Sequence, residues 1–278
     1  MLGTRILTAV VLISLVLAAL FLLAPVGWGT ASLLVMGVAA SEWASLGGYE
    51  KGARTLFVAA TLAIGVAVLV ALAAGDEWLW TGVVLAACGA ATLFWVFVAP
   101  PWLALHWKPA SRLAMAIVGW VALTGAWVAL VALQARSPWL VLAAMAVVWI
   151  ADTAAYFAGR AFGTRKLAPR VSPGKTWEGV YGAFAAVAVY ALALIPLAEA
   201  VGRPGPVSPV AVAVWVVCAL ALVALSVEGD LFESLLKRNA AVKDSGRLLP
   251  GHGGVLDRID ALLAAMPAAA LLAHAYLR

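Results

Sequence analysis

The sequence predicts an all-α integral membrane protein, a polytopic bundle of about nine transmembrane helices with its N-terminus inside and its C-terminus outside. Three observations predict this. Hydrophobic residues make up 65% of the 278-residue chain and charged residues 11%, with a mean hydropathy of +1.06. A soluble domain carries about 45–50% apolar and about 25% charged residues, so polar side chains are too few here to cover a water-facing surface. The apolar residues also come in blocks of about 20, the length that spans a bilayer as a helix. Finally, the basic residues are distributed unequally between alternate connections.

The blocks run 5–24, 29–46, 55–74, 78–99, 113–134, 138–158, 178–198, 208–228 and 256–276. The first is long, lacks a convincing cleavage site and is followed by further blocks, so it reads as a retained helix and not a removed signal. The breaks hold Pro25-Val26-Gly27, Gly47-Gly48, Gly75-Asp76-Glu77, Pro100-Pro101, Ser137-Pro138 and the stretch from Gly202 to Pro209. Pro and Gly interrupt helices, and charge marks the water interface. No internal repeat is visible.

With the N-terminus inside, 15 of the 18 Lys and Arg residues fall on inside segments, and only Arg136, Arg203 and Arg278 fall outside. All connections are short, so the positive-inside rule applies. The net charge of +5 is then a topological asymmetry. It excludes a nucleic-acid partner, which needs a basic face on a soluble domain. A basic inner face favours anionic lipid headgroups and nucleotide phosphates. Cys88 and Cys218 fall mid-block and read as small hydrophobes. The chain divides into residues 1–135, about five helices, and residues 136–278, which carry the polar segments 159–177 and 229–258.

Those two segments are where chemistry is expected, because long polar loops in a compact protein are usually functional. Just before the first, Asp152 lies inside an apolar block, where an ionisable residue is costly and points to function. The run Ser172-Pro173-Gly174-Lys175-Thr176 resembles a phosphate loop only superficially, since that pattern requires Gly where Pro169 stands. What remains is a turn whose Lys175 and Thr176 open a helix with N–H groups free for an anion. An ordinary positive-inside loop with a helix cap is the plainer alternative, and both stay open.

The second segment is denser. Asp230, Glu233 and Lys237 are spaced i, i+3, i+7 and share a helical face; Asp257 and Asp260 open the last block. These acids flank Lys237, Arg238, Lys243, Arg247 and His252, with Gly251, Gly253 and Gly254 among them. Clustered carboxylates repel unless a cation neutralises them, and oxygen ligands suit Mg2+. Glycines let the backbone approach a ligand closely. The plain alternative is a set of solvated charges at a span end; two acids opening an apolar block weigh against it. The pattern points to Mg2+-dependent phosphoryl or nucleotidyl chemistry on a lipid. An ion-coupled transporter is the competing class, but its intramembrane acids belong at the midplane of a repeat-built fold.

At these residues the sequence resembles the phosphatidate cytidylyltransferases, also called CDP-diacylglycerol synthases. Ser234-Leu235-Leu236-Lys237-Arg238, Lys243-Asp244-Ser245-Gly246, Leu249-Pro250 and His252-Gly253-Gly254-Val255-Leu256-Asp257-Arg258-Ile259-Asp260 meet every fixed position of that family's signature. The stretch from Asp152 to Arg160 and that from Ser172 to Gly179 are also similar, although Gly174 departs from the more frequent Lys. The motifs cover residues 150–260; the N-terminal half is similar only in hydropathy. The compact acid array of the CDP-alcohol phosphotransferases is absent.

The resemblance implies transfer of CMP from CTP to phosphatidic acid, in the cell's plasma or inner membrane with the site facing the cytoplasm. It implies Asp230 and Asp257 as Mg2+ ligands, with Asp152 and Asp260 in or near the same site. It also implies catalytic roles for Asp230, Asp257, Lys237 and Arg258. Ser172, Lys175, Thr176, Ser234, Arg238, Lys243, Asp244, His252, Gly253 and Gly254 would bind substrate. A homodimer and a second, monovalent cation such as K+ are further implications.

Overall fold

The apolar blocks become helices in the computed structural model, which describes residues 2–108, 111–200, 208–249 and 251–276, with side chains described from residue 10 and not at 198 and 199. Arg203, Arg278, Pro250 and most of the break from Gly202 to Pro209 lie outside the described residues. The helices are α1 (Leu2–Leu22), α2 (Pro25–Leu46), α3 (Lys51–Ala73), α4 (Glu77–Leu93), α5 (Ala99–Leu105), α6 (Arg112–Arg136), α7 (Pro138–Phe162), α8 (Trp177–Ala200), α9 (Pro209–Asn239) and α10 (Leu256–Tyr276). Between α7 and α8 lie β1 (Lys166–Ala168) and β2 (Ser172–Thr176).

Local chemistry sets the helix starts. Asp76, Ser111 and Ser208 each accept the N–H three residues on, at 3.0, 3.1 and 3.2 Å, and so cap α4, α6 and α9. Pro25 and Pro138 occupy first turns, where the missing N–H costs nothing.

Among the described residues, seven helical stretches are long and apolar enough to cross a membrane: Lys51–Ala73, Glu77–Leu105, Arg112–Arg136, Pro138–Phe162, Trp177–Leu197, Pro209–Asn239 and Leu256–Tyr276. The protein is therefore a polytopic helical membrane protein. α6 and α10 are the inner helices, with 67% and 61% of their apolar stretch buried against 33% or less in the other five. α10 packs on α6, α4 and α2, so residues from both halves of the chain share one core. Its Ala-rich sequence allows that close approach, which is how helices associate without a hydrophobic driving force. The outer surface carries large exposed apolar groups such as Leu22, Leu56, Trp78, Phe97 and Val210, as a lipid-facing surface does. Inside, several tryptophan N–H groups find partners: Trp43 donates to Met115 O at 3.0 Å, Trp120 to Thr61 Oγ1 at 3.1 Å and Trp127 to Ser32 Oγ at 3.0 Å.

Three features differ from the sequence expectation. Pro100-Pro101 does not end a helix: a π-helical stretch, Phe94–Val98, joins α4 to α5, with the prolines in the first turn of α5. The wider turn accommodates residues whose N–H is missing. The eighth block does not stop near residue 228, since α9 continues to Asn239. Its extension is held by Phe232, which packs on Trp95 (centroids 5.3 Å), Trp102 (5.4 Å), Phe94 (5.6 Å) and Trp43 (6.4 Å). Finally, the segment after α7 is an antiparallel hairpin, Lys166 opposite Thr176 and Ala168 opposite Ser172. Pro169 presets its turn, which Val171 N–H closes onto Ala168 O at 3.1 Å. Lys175 thus lies within a strand that Thr176 ends, and the helix opens at Trp177, with Thr176 Oγ1 accepting Gly179 N–H at 3.2 Å.

Candidate active site

Four connections meet at one end of the bundle: α2–α3, α5–α6, α7–α8 and α9–α10. The end of α2 reaches the start of α6 through Tyr49, whose hydroxyl donates to Arg112 O, and through the Arg112–Glu50 ion pair at 3.0 Å. The end of α5 is tied to the end of α9 by Asn239 Nδ2, which donates to Trp107 O at 3.1 Å. Arg238 Nε donates to Val171 O at 3.3 Å, joining α9 to the hairpin. The Glu178 carboxyl accepts from Thr164 N and Oγ1 at 3.2 and 2.9 Å and steadies the entry to the hairpin. α6 then runs its 25 residues, roughly 37 Å, to the opposite end, where Arg136 Nη1 donates to Ala273 O at 2.6 Å.

Two lysine–carboxylate centres lie at the shared end. In the first, Lys175 Nζ on β2 is 2.7 Å from Asp230 Oδ2 on α9, and Ser234 Oγ donates to Asp230 Oδ1 at 3.3 Å. Asp152 on α7 is exposed and lies in Coulombic range of Asp230 and Lys175. Asp260 on α10 is in Coulombic range of Asp230, Lys237 and Lys175. α9 and α10 can bring these groups so near because Gly229 sits where they cross; a Cβ there would be 2.5 Å from Asp260 O. In the second centre, Lys237 is buried between Glu233 Oε2 at 2.5 Å and Asp257 Oδ1 at 2.7 Å. Asp257 Oδ2 accepts from Ser245 N at 2.9 Å, Ser245 Oγ at 3.0 Å and Gly254 N at 2.8 Å. Asp230, Glu233 and Lys237 do share a helical face, but they divide between the two centres.

A family model described as the cytidylyltransferase family matches residues 3–276 of the chain. A phosphatidate cytidylyltransferase of Pseudomonas aeruginosa is 42% identical over 276 residues, which are 98% of this chain and 97% of the relative. One of Haemophilus influenzae is 51% identical over 130 residues, 46% of this chain and 43% of the relative. One of Bacillus subtilis is 44% identical over 124 residues, 45% of this chain and 43% of the relative. The chain belongs to the cytidylyltransferase family. It is a membrane-embedded nucleotidyltransferase.

Within this cytidylyltransferase the expected site residues divide by environment. Asp152, Lys175, Asp230, Ser234, Lys237, Asp257 and Asp260 come together in the two centres. Lys243, Asp244 and Arg258 are exposed on the same end of the bundle, and Arg238 is committed to the hairpin carbonyl. Ser172 pairs in the hairpin and Thr176 caps α8. His252 lies in a tight turn, its N–H donating to Leu249 O at 2.9 Å. The glycines serve close approach, but to carboxyl groups of the chain itself. Gly253 has φ +81°, and a Cβ there would be 2.7 Å from Asp257 Oδ2. At Gly254 a Cβ would overlap the carboxyl group of Glu42.

Glu42 is the site residue that the motifs do not reveal. It is buried on α2 and accepts hydrogen bonds from the loop before α10. The signal that finds it is the one used for Asp152: a lone acid inside an apolar block.

The donor chemistry of the first centre fits Mg2+. Asp152, Asp230 and Asp260 offer only hard oxygens, and the Lys175 ammonium shows that the position beside Asp230 takes positive charge. Among the described residues no group of three or more His, Cys, Asp or Glu side chains is placed to hold a metal ion by itself. Mg2+ ordinarily takes one or two carboxylates and completes its shell with water and substrate phosphates, so an open arrangement suits it. Asp257 is more committed, because one oxygen faces Lys237 and the other already accepts three hydrogen bonds.

Proposed function

We propose that the chain is a phosphatidate cytidylyltransferase, transferring CMP from CTP to phosphatidic acid to give CDP-diacylglycerol and pyrophosphate. The observation that carries this reading is the pairing of Lys175 with Asp230 and of Lys237 with Asp257 at one end of an apolar bundle. Alternating cations and carboxylates at a membrane boundary suit a reaction in which two phosphate-bearing substrates, one lipidic, must meet. The shared description of the relatives supports the choice of substrates.

In this reading a phosphate oxygen of the lipid attacks the α-phosphorus of CTP, and the bond to the β-phosphate oxygen breaks to release pyrophosphate. A phosphate monoester is largely ionised at neutral pH, so no strong general base is required. Lys175, Lys237 and Arg258 neutralise phosphate charge, and Lys243, Arg238 and His252 hold the nucleotide and pyrophosphate. Asp230 and Asp257 would hold Mg2+, with Asp152 and Asp260 beside them; Mg2+ would offset charge on the transferring phosphate. A monovalent cation such as K+ and a homodimer belong to the same proposal. An apolar groove of about 990 Å3 between α5, the hairpin, α8 and α9, lined by Leu103, Trp177, Tyr181, Phe184 and Val227 and edged by Arg170, suits a lipid tail beside the site.

The test supplies purified protein with phosphatidic acid, Mg2+ and CTP labelled at the α-phosphorus. Label is expected in an organic-soluble product, and γ-label in pyrophosphate. Label that stays with water-soluble nucleotide in the presence of phosphatidic acid would remove the reading. Lys175→Ala is expected to raise the apparent KM about tenfold or more, the scale of a hydrogen bond to a charged group, because it removes ground-state phosphate attraction. Unchanged kinetics for both substrates would leave the hairpin with a topological role only.

The proposal extends to orientation. Nine crossings, α1 and α2 included, with the N-terminus and the active site on the cytoplasmic side of the cell membrane, place 15 of 18 basic residues inside. An alkaline-phosphatase reporter fused to the C-terminus should be active. An inactive fusion together with an active cytoplasmic reporter at the same point would reverse the orientation.

A further inference from the structure

Glu42 lies on α2, 203 positions before Ser245, and is only 6% exposed. Its Oε1 accepts Val255 N–H at 3.1 Å, and its Oε2 accepts Leu256 N–H at 2.7 Å and is 3.1 Å from Ser245 Oγ. Leu256 begins α10, so Glu42 satisfies N–H groups that the helix leaves without internal partners and places an acid at the positive end of its dipole. A cap is ordinarily local in sequence; here a distant helix supplies it.

The groups that Glu42 holds are adjacent to, or the same as, those that hold Asp257. Ser245 Oγ lies 3.1 Å from Glu42 Oε2 and 3.0 Å from Asp257 Oδ2, so one hydroxyl proton serves two carboxyl groups. Gly254, whose N–H donates to Asp257, directly precedes the two residues clamped by Glu42. Gly246 and Gly254 leave no room for a Cβ because the Glu42 carboxyl group fills that space. Residues 245–246 and 254–256 thus close around this one side chain.

We propose that Glu42 is a positioning residue: through Ser245 and residues 254–256 it sets the place of the Asp257 carboxylate for nucleotidyl transfer. The inference rests on the cytidylyl-transfer reading, and it assigns a role in that site to the N-terminal half of the chain.

The test compares Glu42→Gln, Asp257→Asn and the double variant in the full-length protein, assayed with CTP, phosphatidic acid and Mg2+. Gln keeps the shape but turns an NH2 donor toward groups that are themselves donors. Glu42→Gln is expected to lower kcat about 10–100-fold, the range for residues that orient a site's ligands, with both KM values held within about twofold. Amide hydrogen exchange at residues 254–257 should quicken in the same variant. In the Asp257→Asn background the substitution should cost less than about twofold more, because residues acting as a unit are not additive. Ser45→Ala, an exposed change on the same helix, should match wild type in every measurement.

Wild-type kcat in Glu42→Gln would overturn the proposal, as would an equal proportional loss in both backgrounds. Should Glu42→Gln fail to fold, Ser245→Ala replaces it. That variant removes the shared hydroxyl and leaves the amide clamp, and unchanged kcat in it would overturn the proposal. An inactive wild-type protein would overturn the cytidylyl-transfer reading and this role together, whereas an active wild type with an indifferent Glu42 variant overturns this role alone.

Discussion

Asp230→Asn and Asp257→Asn are each expected to lower cytidylyl transfer by about 100-fold or more, the scale of losing a charge that acts on the transition state. The structure separates their other consequences. Asp230 is half-buried and holds one lysine and one serine hydroxyl, so Asn at 230 loses the ion pair with Lys175 and little else. Its fold should survive, and its Mg2+ requirement should rise. Asp257 is more deeply set, with Lys237 on one oxygen and three donors on the other. An Asn amide there must turn its NH2 toward Lys237 or toward the donors of Ser245 and Gly254. Asn at 257 should therefore also lose about 1–3 kcal/mol of stability, the cost of leaving a buried polar group unmatched. Gel filtration, thermal unfolding in detergent and activity across a Mg2+ titration read these outcomes separately. Near-wild-type activity of both variants at limiting Mg2+ would remove these carboxylates from the reaction. Collapse of Asp230→Asn in detergent would make the first centre a structural joint between the hairpin and α9.

Lys237→Met carries the largest expected cost in stability. The lysine side chain is 11% exposed and stands between Glu233, 3% exposed, and Asp257, 5% exposed. Met fills the volume but leaves two buried carboxylates facing each other. Removing one partner of a buried pair costs about 3–5 kcal/mol, because the remaining charge has neither water nor counter-ion. Activity should fall with it, since Asp257 loses the contact on its Oδ1. Adding Glu233→Gln to Lys237→Met should recover part of the stability but not the activity. Unfolding midpoints of the single and double variants in one detergent provide the measurement. An unchanged midpoint in Lys237→Met would mean that water reaches the trio and that burial does not hold it together.

Both expectations draw on features that were legible in the sequence to different degrees. The shared face of Asp230, Glu233 and Lys237 follows from helical spacing, and the continuation of α9 to Asn239 preserves it. The eighth apolar block ends near residue 228, yet the helix runs on because Phe232 is enclosed by Trp43, Trp95 and Trp102, aromatic residues from distant parts of the chain. The hairpin was not legible, because three- and five-residue strands carry too little alternation to register beside apolar blocks. The glycines of the His252-Gly253-Gly254 run are expected from the sequence to let the backbone approach a ligand closely. What approaches them is Asp257 and Glu42, and no local pattern names that occupant.

By itself the sequence determined that the chain is a helical membrane protein and that its motif acids and bases fall between residues 150 and 260, since block length and signature spacing are local properties. Only the tertiary structure decided which charge meets which. Lys175 meets Asp230, Lys237 joins Glu233 to Asp257, and Glu42 reaches across 213 positions to Val255. The physical reason is that helical periodicity specifies which face a side chain occupies, while its partner depends on which helix packs against that face. For Glu42 the packing of α2 near the start of α10 places a buried acid where the first N–H groups of a helix need an acceptor.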